Sequence, residues 1–153
     1  MIDDIDKKIL KTIQRNARAS HSEIARLVGM APSAVFERIR KLEKREVIQG
    51  YETRLNPQAV NLGLLAFIFI RIQEPLKKLE AEKSLTQLPD VLEIHDVAGE
   101  DCYLVKVRVA NTEALGDLLR NKIGALPAIS STRTTIVLTT VKETAQLPLE
   151  EPS

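Results

Sequence analysis

Aromatic and sulfur-containing side chains are scarce in this sequence. Its 153 residues include no tryptophan, two tyrosines, three phenylalanines and a single cysteine. A surface that stacks single-stranded bases needs more aromatic rings than this. One cysteine excludes both an intramolecular disulfide and a cysteine-rich zinc site. We therefore expect a protein of the reducing cytoplasm that carries no cofactor.

Long hydrophobic runs are also missing. The longest apolar stretch, LGLLAFIFI, stops at Arg71 and is shorter than the roughly 20 residues that span a bilayer. The opening MIDDIDKK is acidic and lacks the basic and apolar regions of a signal peptide. We expect no association with a membrane.

Charge is uneven along the chain, although the net charge is only +1. Residues 1–60 contain 12 Lys and Arg against 8 Asp and Glu, whereas residues 61–153 contain 10 against 13. The first segment is therefore the better candidate for contact with a polyanion such as DNA.

The first 46 residues show the pattern of three helices. Ile5, Ile9 and Ile13 recur every four residues, as on the buried side of a helix. The segment SHSEIARLVG, residues 20–29, opens with Ser and Glu at capping-box spacing and stops at a glycine, which predicts a second short helix. The apolar positions predicted to be buried there are Ile24, Leu27 and Val28.

A third helix is predicted to begin at Pro32, because proline suits the first position of a helix. Two short helices joined by a tight turn at Gly29 make a helix-turn-helix. The following segment VIQGYETRL, residues 47–55, is strand-like around a glycine, as a small β-wing is. Residues 1–55 are therefore predicted to form a winged helix-turn-helix domain.

The third helix has two distinct faces when its residues are placed at 3.6 per turn. One face is apolar and is predicted to pack on the first two helices. The opposite face is small at its start and then charged, which suits a DNA major groove; a merely solvated face is the alternative for a helix taken alone. The apolar set is Val35, Phe36, Ile39 and Leu42, and the outward set is Ala34, Glu37, Arg38, Lys41 and Arg45.

The pattern changes after a linker at residues 56–63. Segments of strand, helix, strand, strand, helix and strand character follow each other over residues 64–142, and LPDV at Leu88 is matched by LPAI 38 residues later at Leu126. Two βαβ units in series predict a ferredoxin-like βαββαβ domain with both helices on one sheet face. Residues 143–153 are rich in Pro and Glu and are predicted to form a disordered tail.

One face of this predicted sheet is left without helices. Period-two alternation directs one set of side chains toward the helices and the other toward the open face. Because apolar groups on an open face need a partner, we expect a homodimer through the sheet. The helix-facing set is Ile68, Ile70, Ile72, Tyr103, Val105, Val107 and Val109, and the open-face set is Phe67, Phe69, Cys102, Leu104, Arg71, Lys106 and Arg108.

In this order of segments the chain resembles the Lrp/AsnC family of feast/famine transcriptional regulators. The resemblance rests on IDKKILKTIQRNAR, SEIARLVGMAPSAVFERIRKLEKREVIQGYETRLNP, AGEDCYLVKVRV and LPAISSTRTTIVL. It implies an α+β protein, with an N-terminal winged helix-turn-helix joined to the ferredoxin-like domain, that binds double-stranded DNA. It also implies dimers that assemble into tetramers or octamers, and an amino-acid effector bound between dimers.

The resemblance assigns the DNA contacts to the third helix and the wing. A two-fold dimer then implies an imperfect palindrome as operator, with half-sites about one helical turn or a multiple of it apart. Ala31 stands where many members have a capping Ser or Thr before the proline, and Ser33 is the nearest replacement for that cap. The residues expected near bases are Ser33, Ala34, Glu37, Arg38 and Lys41, and those expected near phosphates are Arg40, Lys44, Arg45 and Arg54.

The effector site implied by the resemblance combines the hairpin before the third strand with the last strand. Better-known amino-acid-responsive members carry Gly, x, x, Asp, Tyr in the hairpin, and here the fourth position is Cys102. A frequent aromatic residue on the last strand is replaced by Thr135. The expected effector residues are Gly99, Glu100, Asp101, Cys102, Tyr103, Thr134, Thr135 and Ile136.

Cys102 has three interpretations. It is a small residue that fills a strand position, or part of a ligand pocket in which Asp101 or Asp96 supplies the missing carboxylate, or a redox switch. The redox switch requires a disulfide between subunits, and the acidic neighbours Glu100 and Asp101 raise rather than lower a thiol pKa.

Two other functions are compatible with this architecture. Some haem-biosynthesis decarboxylases resemble the family, with a degenerate helix-turn-helix and basic or His residues in a tetrapyrrole cleft. This chain has only His21 and His95, expected at the surface and packed in a strand respectively, so we expect no enzyme. The third function is a metabolite sensor whose DNA-binding half is vestigial.

Overall fold

The structure is a computed structural model that describes residues 1–150. It divides into two compact units, one of residues 1–53 together with the segment from Lys142 onward, and one of residues 54–141. No helix within the described residues is long and apolar enough to cross a membrane.

The first unit contains the three predicted helices. They are α1 (Asp4–Arg15), α2 (His21–Val28) and α3 (Pro32–Lys44). The capping box predicted for α2 is present, since the Ser20 side chain accepts from the Glu23 N–H and the Glu23 side chain accepts from the Ser20 N–H. Gly29 ends α2 in the left-handed conformation, with φ of 69°.

The core of this unit is built from one narrow stripe on each helix. The stripes comprise Ile9, Ile24, Ala25, Val35 and Ile39. Leu27 and Phe36, both predicted to be buried, are instead 69% and 46% exposed. Each lies about 100° around its helix from the centre of the buried stripe. The apolar residues therefore cover a wider arc of each helix than the arc that packs into the core.

The segment expected to form a β-wing contains no strand. The backbone N–H groups of Val47 and Ile48 both donate to Leu42 O, at 2.9 and 3.2 Å. Ile48 packs against the core, and the Tyr51 hydroxyl donates to Glu43 at 2.8 Å. The segment thus follows the end of α3 and packs on the helical unit, and no second strand of the described chain pairs with it.

The tail was predicted to be disordered, and the structure differs at Leu147. The Leu147 N–H donates to Gln14 Oε1 at 2.7 Å, and Gln14 Nε2 donates to Leu147 O at 3.1 Å. The Gln14 side-chain amide therefore bonds both backbone groups of Leu147. The described part of the tail belongs to the same compact unit as the three helices. The last three residues of the predicted tail lie outside the described residues.

The second unit has the predicted βαββαβ order. The strands β1 to β4 form one antiparallel sheet in the order β2-β3-β1-β4, which confirms the ferredoxin-like domain. Strand β4 stops at Ile136, short of the predicted STRTTIVLTTV. The elements are β1 (Leu64–Arg71), a 3₁₀ turn (Pro75–Lys77), α4 (Lys78–Thr86), β2 (Val91–Asp96), β3 (Tyr103–Val109), α5 (Thr112–Asp117), a π-helical turn (Leu118–Ile123) and β4 (Ser131–Ile136).

The helix-covered face of the sheet carries the core of the second unit. The predicted alternation is confirmed, since the seven residues assigned to that face are all buried. They pack with Ala81 and Leu85 of α4 and Leu115 of α5. The opposite face contains Phe67, Phe69 and Leu104, which are half-buried within the single chain.

Candidate DNA interface and effector site

The outward side of α3 carries a continuous polar stripe. Successive members are three or four residues apart except for the neighbours Arg40 and Lys41, so the stripe covers about 100° of the helix circumference. None of the three cations among them makes a side-chain hydrogen bond or ion pair with any residue in 1–150. All five side chains are exposed: Ser33, Glu37, Arg40, Lys41 and Lys44.

Arg38, expected near bases, is instead engaged within the protein. Its Nη1 donates to Asp3 Oδ2 at 2.7 Å and to Asp6 Oδ1 at 2.9 Å. The hydrogen bond from Arg38 lowers the pKa of Asp3, and the same contacts raise the pKa of Arg38. The sequence interpretation missed this because the partners are 35 and 32 residues away along the chain.

Three further residues predicted to contact DNA lie outside the exposed stripe of α3. Arg45 Nη1 and Nη2 both lie 3.4 Å from the carbonyl oxygen of Met1. Arg54 is exposed and belongs to the second unit, and no strand presents it. Ala34 is half-buried, so it offers less surface than its position on the helix wheel suggested.

The N-terminus of α3 has no side-chain cap. Ala31 is the N-cap residue, and its carbonyl accepts from the N–H groups of Ala34 and Val35 at 3.1 and 3.2 Å. Ser33 does not replace the missing cap. A helix N-terminus carries partial positive charge and attracts phosphate groups, so this end complements the cations farther along the stripe.

The predicted effector hairpin links β2 to β3. It turns at Gly99, whose φ of 139° is a conformation that side-chain-bearing residues rarely adopt. Asp101 accepts from Arg133 Nη2 at 2.9 Å, and the Arg133 guanidinium lies 4.2 Å from the centroid of the Phe69 ring. Glu100 lies 3.8 Å from Arg71 Nη2. The hairpin therefore holds two carboxylates that face two guanidinium groups.

Cys102 lies beside the end of β1. Its Sγ accepts from the Ile72 N–H at 3.4 Å and contacts Ile72 O at 3.5 Å, and it packs against the edge of the second core. A half-buried thiol in local hydrogen bonds supports the interpretation as a small strand residue. The expectation that it lies wholly on the open face is not met, because it packs against the core cluster.

Tyr103 is a core residue rather than a lining of the effector site. It is 1% exposed, and its hydroxyl donates to Glu82 at 2.6 Å. Burial, and then the hydrogen bond to Glu82, raise the pKa of Tyr103 well above its ordinary value. Because it follows Cys102 in the strand, it points to the helix side.

The three residues of β4 that were predicted to bind the effector, Thr134, Thr135 and Ile136, make no hydrogen bond or ion pair with the hairpin within the described residues of the single chain. Strand β1 separates β4 from β3, a distance of two strand spacings or roughly 10 Å. Thr135 pairs with Phe67, whereas the hairpin end meets Ile70. The residues that do meet the hairpin, Arg133 and Arg71, were missed as effector residues, although period-two alternation places Arg133 on the same face as Thr135.

Comparison with known proteins identifies the family. A family model described as the Lrp/AsnC ligand binding domain matches residues 65–147. A second model, described as a winged helix-turn-helix DNA-binding domain, matches residues 2–49. The chain belongs to the Lrp/AsnC family. It is thus a DNA-binding transcriptional regulator.

The similarity of this Lrp/AsnC regulator to its relatives extends over nearly the whole chain. The HTH-type transcriptional regulator FL11 of Pyrococcus horikoshii is 37% identical over 149 residues, which is 97% of each chain. A Neisseria meningitidis transcriptional regulator in complex with L-Met has a TM-score of 0.93 at 28% identity, covering 97% of each chain. A feast or famine regulatory protein of Mycobacterium tuberculosis complexed with L-methionine has a TM-score of 0.90 at 39% identity, covering 96% of this chain and 99% of that one.

Proposed function

We propose that this regulator reads a specific operator by inserting α3 into the major groove of double-stranded DNA. The observation that carries the proposal is the exposed stripe from Ser33 to Lys44, which contains three cations without an ion-pair partner in the described residues. Ser33, Glu37 and Lys41, which follow one another at four-residue intervals along α3, are assigned to base edges, and Arg40 and Lys44 are assigned to phosphates.

We propose a homodimer that forms through the open sheet face. Phe67, Phe69 and Leu104 are grouped on that face, and half-buried apolar groups of this kind are covered in stable assemblies. A two-fold dimer presents two reading helices and therefore fits an imperfect palindrome. Further association of dimers to tetramers or octamers is the family's usual organisation, and we extend it to this chain.

We propose an α-amino acid as effector, bound at the hairpin between β2 and β3. An α-amino acid carries one ammonium and one carboxylate group, and the hairpin offers both Asp101 and Glu100 and the guanidinium groups of Arg133 and Arg71. The two relatives complexed with L-methionine support this class of ligand. Cys102 adds no charge to the site, so Asp101 is the candidate partner of the ammonium group.

A regulator is a better proposal than an enzyme for this chain. The relatives are named as transcriptional regulators, and His95, expected to be packed in its strand, is instead exposed, and its Nε2 lies 2.9 Å from Glu93 Oε1. Exposed cations on α3 also favour active DNA binding over a vestigial domain. We propose that the protein acts in the cytoplasm, where bacterial and archaeal DNA lies.

A mobility-shift titration tests the DNA interface. The probe is a duplex that the wild-type protein selects from a random-sequence pool, and the variants are Lys41→Ala and, as the control, Lys83→Ala on α4. We expect Lys41→Ala to weaken binding to the selected duplex about tenfold and to relax the preference for that duplex over a scrambled one, because the assigned contact is to a base edge. Lys83→Ala should match wild type. Equal retention of the probe by Lys41→Ala would contradict the assignment of α3.

The effector is tested in the same assay. Each of the common amino acids, L-methionine included, is added in turn to wild type and to Asp101→Asn. We expect at least one to shift wild-type binding, and the shift to be lost in Asp101→Asn because its carboxylate is gone. A shift of equal size in both proteins would show that the ligand binds without Asp101.

A further inference from the structure

We propose that Arg38 is a positioning residue, which fixes the reading helix α3 to the N-terminus of α1 and does not itself contact DNA. The inference deepens the proposed function and rests on it. It concerns the one cation of the predicted reading face that the structure ties to two carboxylates, Asp3 and Asp6.

The two carboxylates divide their oxygens between the cap of α1 and Arg38. Asp3 Oδ1 accepts from the Asp6 N–H at 2.7 Å, and Asp6 Oδ2 accepts from the Asp3 N–H at 3.3 Å. The remaining oxygens, Asp3 Oδ2 and Asp6 Oδ1, both accept from Arg38 Nη1. The reciprocal capping box thus fixes the position of both carboxylates independently of Arg38.

Burial makes the contact costly to break. The whole Asp6 residue is 8% exposed, whereas the Arg38 side chain is 29% exposed. A buried carboxylate that loses its cation keeps its charge away from water, and this is unfavourable. Turning Arg38 toward DNA would therefore leave the buried Asp6 carboxylate without its cation, whereas water could replace Arg38 at Asp3, whose side chain is 55% exposed.

The charges of the cluster also argue against a DNA contact. Two carboxylates and one guanidinium together carry one negative charge, so this part of the surface does not attract phosphate. The hydrogen bond from Arg38 lowers the pKa of Asp3, which shows that the arginine stabilises the ionised carboxylate. The attraction for DNA consequently falls to Arg40, Lys41 and Lys44.

A second contact shows which side of α3 faces α1. Arg45 lies seven residues after Arg38, hence on nearly the same side of the helix two turns later. Its guanidinium is 3.4 Å from the carbonyl oxygen of Met1. The start of the chain therefore contacts α3 at two levels, at the half-buried Arg38 and at the exposed Arg45.

The test keeps the arginine and removes its partners. In the double variant Asp3→Asn, Asp6→Asn the guanidinium remains and asparagine still accepts hydrogen bonds at a helix N-terminus. A DNA-contacting Arg38 would be set free, and binding to the selected duplex would be equal or tighter. A positioning Arg38 predicts a loss of about tenfold, the same loss in Arg38→Ala, and no additional loss when the three substitutions are combined.

Salt dependence tests separately whether Arg38 contacts a phosphate group of the DNA. Loss of a phosphate contact lowers the slope of log affinity against log salt by about 0.9. We expect Arg38→Gln, which removes the cation but can still donate to one carboxylate, to leave the slope unchanged. Arg40→Ala, on the exposed stripe of the same helix, is the control whose slope should fall. A lower slope for Arg38→Gln would overturn the proposal.

The outcomes distinguish this inference from the proposed function. A wild-type protein that selects no duplex contradicts the proposed function and removes the basis of the inference. Wild-type selection together with full binding by Asp3→Asn, Asp6→Asn overturns only the role of Arg38. Far-UV circular dichroism at the assay temperature checks that the variants are folded. If Arg38→Ala is unfolded, Arg38→Gln is measured in its place.

Discussion

At the scale of single residues, Tyr103 shows how one buried polar group is accommodated. Its ring lies in the core of the second unit, and its hydroxyl reaches Glu82 at 2.6 Å. Lys78 Nζ lies 5.4 Å from the centroid of the ring. The hydroxyl is protonated at neutral pH and donates to Glu82, so Tyr103 links β3 to α4.

The Tyr103–Glu82 contact predicts a measurable stability change. We expect Tyr103→Phe to lower the free energy of unfolding by about 1.5 kcal/mol, because a hydrogen bond to a charged acceptor is lost with little change of volume. Urea denaturation of the full chain measures it. The raised pKa favours the folded state below pH 10, so the difference between wild type and variant should shrink as the pH rises past 10.

Tyr51→Phe is the matched control for this measurement. Tyr51 also donates to a glutamate, Glu43, but it is 50% exposed. Water replaces the lost partner there, so the expected change is smaller, below about 0.5 kcal/mol. Equal losses in the two variants would show that burial does not determine the strength of the Tyr103 contact.

At the scale of elements, the helix ends determine how α2 leads into α3. The turn depends on Gly29, whose φ of 69° lies in the left-handed region, and on the Met30 N–H, which donates to Ala25 O at 3.0 Å. There is open space around the glycine, since an added Cβ would meet no atom within 4 Å. The conformation alone therefore selects glycine at this position.

This turn gives the second stability prediction. We expect Gly29→Ala to cost about 1 kcal/mol, because an alanine in the left-handed conformation strains its Cβ against the backbone. Thermal unfolding followed by circular dichroism measures the change. Gly50→Ala is the control, since Gly50 also has open space but no positive φ. Gly29→Ala with a wild-type melting temperature would refute the argument from backbone strain.

At the scale of the whole molecule, the proposed homodimer depends on the open sheet face. Phe67 pairs with Lys106 of β3 on one side and Thr135 of β4 on the other, which places it near the middle of that face. A carboxylate there would be desolvated in a dimer interface without a designed partner. The proposed dimer and the proposed palindromic operator together predict that assembly and DNA binding are coupled, because a palindrome needs two reading helices.

Sedimentation velocity tests this coupling. We expect Phe67→Asp to weaken dimerisation by at least about a hundredfold, or roughly 2.7 kcal/mol, and to weaken binding to the palindromic duplex in parallel. Leu79→Asp is the control, since Leu79 is 75% exposed on α4 and lies away from the open face. An unchanged dimer in Phe67→Asp would place the interface elsewhere on the molecule.

The features that follow from local patterns were readable in the sequence alone. The spacing of Ser20 and Glu23 predicted a capping box, Gly29 predicted the end of α2, and the alternation along LLAFIFIRI and CYLVKVRV predicted which side chains enter the core. Caps, turns and strand alternation depend on residues a few positions apart, so their chemistry is written in consecutive letters.

Other features depended on segments that are distant in the chain. Arg38 looked like a groove-facing cation until its carboxylate partners at the start of α1 were known, and Arg133 gained its place beside Asp101 from the order and register of the sheet. Leu27 and Phe36 fell outside the buried stripes because the crossing of the helices sets how wide each stripe is. Helix crossings and strand register are set by packing between segments, and no short sequence window contains both sides of such a contact.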